Sequence, residues 1–166
     1  MKAPVDMVLL GILVKIANKE LGKRKKPQRH KPISVSELPL IDKATKWGIT
    51  VKLANQRFKC HGHYDKEQKE IHLVFINPKN YLHALTHAAI EKKCGIITHN
   101  HFEWKEIISE LAALTILEIL SNQPAESLRA SYSFIVSNSA ALKKDPFYAC
   151  LDVFGDTEDI VTFILI

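Results

Sequence analysis

The segment WKEIISELAALTILEILSN, residues 104–122, is apolar over most of its circumference at helical spacing. A helix without a broad polar face has to be surrounded, so this segment predicts a central buried helix with neighbours on several sides. It also carries carboxylates on apolar ground. Ile107, Ala113, Leu114 and Leu117 share the helical face of Glu110. A carboxylate buried there is costly unless it meets a cation or several donors. The fold therefore has to supply a partner for it.

The stretch NYLHALTHAAIEKK, just upstream, offers that partner. His83 and His87 stand four residues apart, so on a helix both imidazoles lie on one face within reach of a single ion. Such pairs are common by chance, and it is the carboxylate that gives this one meaning. Two histidines and one carboxylate with an open fourth position make a catalytic-type zinc site. Glu110 is the expected third ligand; Glu106, one turn earlier, is its rival and has less apolar surroundings. Zinc peptidases place a glutamate directly after the first histidine, where it takes a proton from the metal-bound water. Here that position is Ala84. A metal at this site can still polarise a carbonyl, but the missing base costs about 10² to 10⁴ in rate. Glu91, one turn beyond His87, reads as a surface residue and not as a substitute base.

Other candidates carry less. Cys60, His61 and His63 fall in one strand-like run, where alternation sends the two histidines to one side and the cysteine to the other, as on an exposed sheet face. His99 and His101 flank a loop near the expected cleft. Tyr132 is a candidate oxyanion donor if its helix lines that cleft, and otherwise a core aromatic.

The surrounding sequence sets an α+β domain. GITVKLA, RFKCHGHY and EIHLVFI are short runs rich in β-branched and aromatic residues, separated by turn-like residues. They predict a small sheet of about three strands, an antiparallel meander or a mixed sheet. Asn77-Pro78 ends the last run, the Asn80 side chain is placed to cap the histidine helix, and Gly95 follows its end near Lys92-Lys93. A further helix is expected from Pro124 to about Leu142, then one or two short helices from Asp145-Pro146. The architecture is a small sheet followed by a helical bundle.

Before residue 47 the pattern differs. Val5, Val8, Leu9, Ile12 and Ile16 recur at helical spacing, an amphipathic helix that packs on the domain or on a partner. The apolar stretch there is too short to span a bilayer and lacks a signal-peptide pattern, so no membrane association is expected. A basic segment follows, Lys23, Arg24, Lys25 and Lys26 continued by Arg29 and Lys31. It reads as a solvated linker to about Pro39, with a phosphate-tracking DNA contact as the alternative. Residues 1–46 are thus assigned as N-terminal helix and basic linker and 47–166 as the domain carrying the site. A chain of 166 residues with 46% hydrophobic content and three cysteines at unrelated spacings points to a folded protein of a reducing cytoplasm.

The order of these pieces resembles a known family. Gly62-His63-Tyr64-Asp65-Lys66-Glu67, the EIHLVFI strand, the HALTHA helix, the SELAA helix and the tail AALKKDPFYACLDVFGDTEDIVTFIL are similar to the zincin-like metallopeptidase domain of ArdC-type antirestriction proteins and of related phage and plasmid polyvalent proteins. The resemblance covers residues 47–166. It implies that His83, His87 and Glu110 are the metal ligands, that the ion is Zn2+, and that Ala84 stands on the catalytic glutamate. It further implies a mobile genetic element's protein that acts on a protein substrate or host defence protein. Asn138 replaces the family's tryptophan before LKKDP, and only a short segment stands where the family often carries a DNA-binding domain. Ala84 then marks a natural pseudo-enzyme or an inactivated variant, the intact ligand positions favouring the latter. The alternatives are a nucleic-acid-binding antirestriction protein with a structural metal and a peptidase that cleaves a mobile-element repressor.

Overall fold

The computed structural model of the chain describes residues 4–22, 33–54, 62–93, 98–99, 101–121 and 128–166. Helix α1 (Val5–Ala17) is followed by a 3-10 turn (Val35–Glu37) and the short helix α2 (Ile41–Lys46). Strands β1 (Thr50–Leu53), β2 (Gly62–Asp65) and β3 (Glu70–Leu73) come next, then α3 (Pro78–Lys92), α4 (Phe102–Ser121), α5 (Leu128–Ala141), α6 (Pro146–Asp152) and α7 (Phe154–Leu165). The chain is thus α+β, a small sheet with a helical bundle. No helix of the described residues is long and apolar enough to cross a membrane.

Helix α4 is the axis of the molecule. Ile107, Ile108, Leu111, Leu114 and Ile116 are wholly buried on its several faces, and α3, α5, α7, α1 and α6 pack around it. Each such side chain contributes about 1.5–3 kcal/mol on burial, which is why an all-round apolar helix ends at the centre. Helix α1 docks on the same core through Leu9, Ile12, Leu13 and Ile16, leaving Met7, Leu10 and Val14 exposed on its outer face. Leu38 and Ala44 join that core as well, so it draws on residues well before position 47.

Helix α2 is absent from the sequence expectation, which counted residues up to 46 with the N-terminal helix and basic linker. Only six residues long, it has Ala44 as its single fully covered side chain and starts from Leu40 in the left-handed region, φ 61°. A helix this short shows no apolar period to read.

The sheet is mixed, in the order β1-β3-β2. β2 and β3 form an antiparallel hairpin, with Tyr64 opposite Ile71 and His63 opposite His72, while β1 lies parallel to β3. Ile71 and Leu73 of the middle strand are buried against the helices. Lys52, Glu70, His72 and His63 occupy the other face, where Lys52 and His72 both pair with Glu70 and His63 is exposed. Cys60 and His61 lie outside the described residues.

Two local devices aim α3. The Asn77 side chain, in an extended conformation before the helix, accepts a hydrogen bond from the Asn80 N–H at 3.1 Å, and Pro78 fills the first helical position. The sequence pointed to Asn80 as the cap; Asn80 already lies inside the first turn and supplies the donor instead. Gly62 of β2 then meets that turn directly. A Cβ at this position would sit 2.9 Å from the Asn80 carbonyl oxygen, closer than side-chain carbon and backbone oxygen tolerate. Gly62→Ala should therefore force β2 off α3 and destabilise the protein by about 1–3 kcal/mol. Urea denaturation of the two proteins measures this, and an unchanged midpoint would contradict the contact.

Candidate metal centre

Helices α3 and α4 run antiparallel, and each carries a polar stripe at four-residue spacing. Lys79, His83 and His87 line up on α3, and Glu106 and Glu110 on α4. Opposite directions pair the stripes in reverse order. Lys79 Nζ lies 2.6 Å from Glu110 Oε1, and His83 Nδ1 lies 2.9 Å from Glu110 Oε2. His83 Nε2 lies 3.2 Å from Glu106 Oε2, and His87 Nε2 lies 3.1 Å from Glu106 Oε1. The two Nε2 atoms are themselves 3.2 Å apart. Helix α5 closes the outer side, where Ser131 Oγ accepts from Lys79 at 3.3 Å and the Phe134 ring stands edge-on to His83 at 5.6 Å.

One proton cannot serve such a cluster. His83 Nε2 faces both the carboxylate and the second imidazole nitrogen, so three donor atoms converge on one point. His83, His87 and Glu106 each offer a ligand atom, all within 4.8 Å of one another. The edge of a tetrahedron with bonds of about 2.0 Å is about 3.3 Å, close to the 3.2 Å between the two Nε2 atoms, while each of them meets a different oxygen of Glu106. The residues present therefore fit a metal ion. Glu110, receiving Nδ1–H of His83, fixes the tautomer that leaves the Nε2 lone pair free for the ion.

Glu106 thus takes the place beside both histidines that the sequence reading preferred for Glu110. The apolar surroundings of Glu110 signal the deeper position, only 3% exposed, behind the imidazole. There Lys79 supplies the cation that a buried carboxylate needs, a pairing the sequence reading assigned to the metal. Ala84 follows His83 on α3 and is completely buried in the core. Glu91 pairs with Lys66 at 3.0 Å. Tyr132 is half-buried against the core, while Ser131 and Phe134 are α5 side chains that touch the centre. Lys23, Arg24, Lys25, Lys26, Arg29 and Lys31 lie outside the described residues.

Lys79, Ser131 and Phe134 escaped the sequence reading. Lys79 was readable, because it continues the His83–His87 stripe one turn back. The α5 residues carry no such signal. His99 also finds a specific place: Asp156, in the first turn of α7, accepts from His99 Nδ1 at 2.9 Å and from the Thr98 backbone at 3.0 Å. This ties the chain between α3 and α4 to the last helix. No family model matches the chain, and no curated protein or solved structure does either.

The electrostatics follow from the pairing. Burial alone would push the His83 imidazole down, yet its bonds to Glu106 and Glu110 and their charges outweigh this and hold it up at about 9. Burial opposes ionisation of Glu106, but bonds from His83 and His87 bring it down to about 2. Glu110 is likewise resisted by burial and brought down to about 2 by the His83 bond and the Lys79 charge. Without metal, the His83 contribution to stability is complete below its ordinary value of 6.5 and is lost as pH rises through about 9. The carboxylates contribute above their ordinary value of 4.5 and lose this as pH falls toward about 2. In chelator, the urea midpoint should therefore be highest between about pH 4.5 and 6.5 and fall on the alkaline side. His83→Gln should remove that alkaline decline; its persistence would place the titrating group elsewhere.

Proposed function

We propose that this chain is a zinc-binding protein built like a metallopeptidase and lacking the hydrolytic base. His83, His87 and Glu106 hold the ion, Glu110 orients His83, and Ala84 occupies the position where a peptidase carries its glutamate. The convergence of two imidazole nitrogens and a carboxylate within 4.8 Å supports this reading most directly. Two nitrogens and one oxygen suit zinc better than the oxygen-seeking magnesium or calcium.

A bound zinc ion supplies a Lewis acid with an open position, able to polarise a carbonyl. The chain's own residues then decide the outcome. Glu106 would be a ligand of that ion and Glu110 is engaged by His83 Nδ1 and Lys79, so neither is free to take a proton from an incoming water. The methyl group of Ala84 cannot take one at all. Such a site binds a carbonyl or carboxylate ligand and does not cleave it at a useful rate. By its motif resemblance, the ligand is a protein of the host's defence against a mobile element, held and masked in a plasmid or phage context.

Purified protein should contain about one equivalent of zinc by elemental analysis. His83→Ala and Glu106→Gln should abolish that uptake, while Glu110→Gln should keep the stoichiometry and weaken affinity by about 10–100-fold. Full zinc retention in Glu106→Gln would overturn the ligand set. Ala84 is wholly buried, so Ala84→Glu should lower the urea midpoint; where circular dichroism shows the variant folded, it should cut a fluorescent casein about 10² to 10⁴ faster than the parent chain. If that variant binds zinc and still cuts nothing, the peptidase ancestry falls and only the metal site stands.

A further inference from the structure

Lys79 stands out because it is a nearly covered lysine facing the centre and not solvent. Its side chain is 18% exposed, and its ammonium lies between Glu110 Oε1 at 2.6 Å and Ser131 Oγ at 3.3 Å. The other oxygen of Glu110 receives His83 Nδ1 at 2.9 Å. A cation is therefore linked through one carboxylate to a coordinating imidazole. With zinc bound, the ion and Lys79 outweigh Glu106 and Glu110 by a single positive charge, both imidazoles being neutral ligands. Replace Lys79 by a neutral residue and the centre has no net charge.

We propose that Lys79 is a positioning residue that keeps the loaded centre cationic, so that the open coordination position takes a carboxylate or comparable small monoanion. The inference rests on the zinc reading of His83, His87 and Glu106. Because the site is largely covered, the charge of Lys79 acts on both the ion and its ligand through low-dielectric surroundings. It repels the metal and attracts the anion. A purely structural Lys79, serving only to hold Glu110 against His83, has a different signature, since its loss weakens the metal site as a whole. The two roles are separated by the sign of one effect.

The test uses the full chain, with zinc affinity measured by chelator competition and acetate affinity by visible absorption of the Co2+-substituted protein. Lys79→Met should bind zinc roughly tenfold tighter and acetate roughly tenfold weaker, the scale of one unit charge acting over several ångströms. Lys79→Arg should resemble the parent in both, because it keeps the charge. Weaker zinc binding in Lys79→Met, or unchanged acetate affinity with metal bound, would overturn the proposal. Lys79→Gln repeats the comparison if the Met variant does not fold. A parent chain that takes up neither zinc nor cobalt brings down the zinc reading and this inference together. Normal metal uptake with unaltered acetate binding removes the Lys79 role alone.

Discussion

The packing of α3 against α4 is the constraint on which the rest of this structure depends. Helix α4 is buried over most of its surface and carries Glu106 and Glu110, and an unpartnered buried carboxylate costs several kcal/mol. Only a neighbour presenting donors at the same four-residue spacing, in the opposite direction, can satisfy both. The stripe Lys79, His83 and His87 does so. A slip of one turn would leave Lys79 or one carboxylate alone, so the polar contacts add to the apolar packing in fixing the register.

The remaining elements hold that pair in place. The sheet touches the first turn of α3 through Gly62, and the Asn77 cap starts the helix at a defined residue. At the other end, Asp156 gathers the backbone and side chains of Thr98 and His99, fastening the chain between α3 and α4 to α7. The bonds from His99 and Thr98 keep the Asp156 carboxyl below its usual range in spite of burial. Helix α5 contributes Ser131 and Phe134 from the outer side. The polar cluster is thereby supported from the sheet, the connecting chain and α5, the kind of second layer that fixes ligand geometry in metal sites.

Chemically, the cluster brings together His83, His87 and Glu106, a group of side chains that could hold a metal ion. Glu106 meets both histidines, and Glu110 meets His83 and Lys79. His83 and His87 face α4, whereas Ala84 is packed into the core beside them.

Much of this was legible in the sequence. The all-round apolar period of residues 104–122 required a central helix, and the four-residue spacing put His83 and His87 on one face. The choice between Glu106 and Glu110 was not legible, because both lie on the same stripe and local hydrophobicity measures depth, not direction. Tertiary structure separates the two: antiparallel docking sets Glu106 against both Nε2 atoms and sends Glu110 behind His83 to Lys79. The same holds for the mixed sheet order, the docking of α1 and the part played by Ser131 and Phe134. Periodicity along a chain reports which face of an element is buried, and only the meeting of two elements determines which residue stands opposite which.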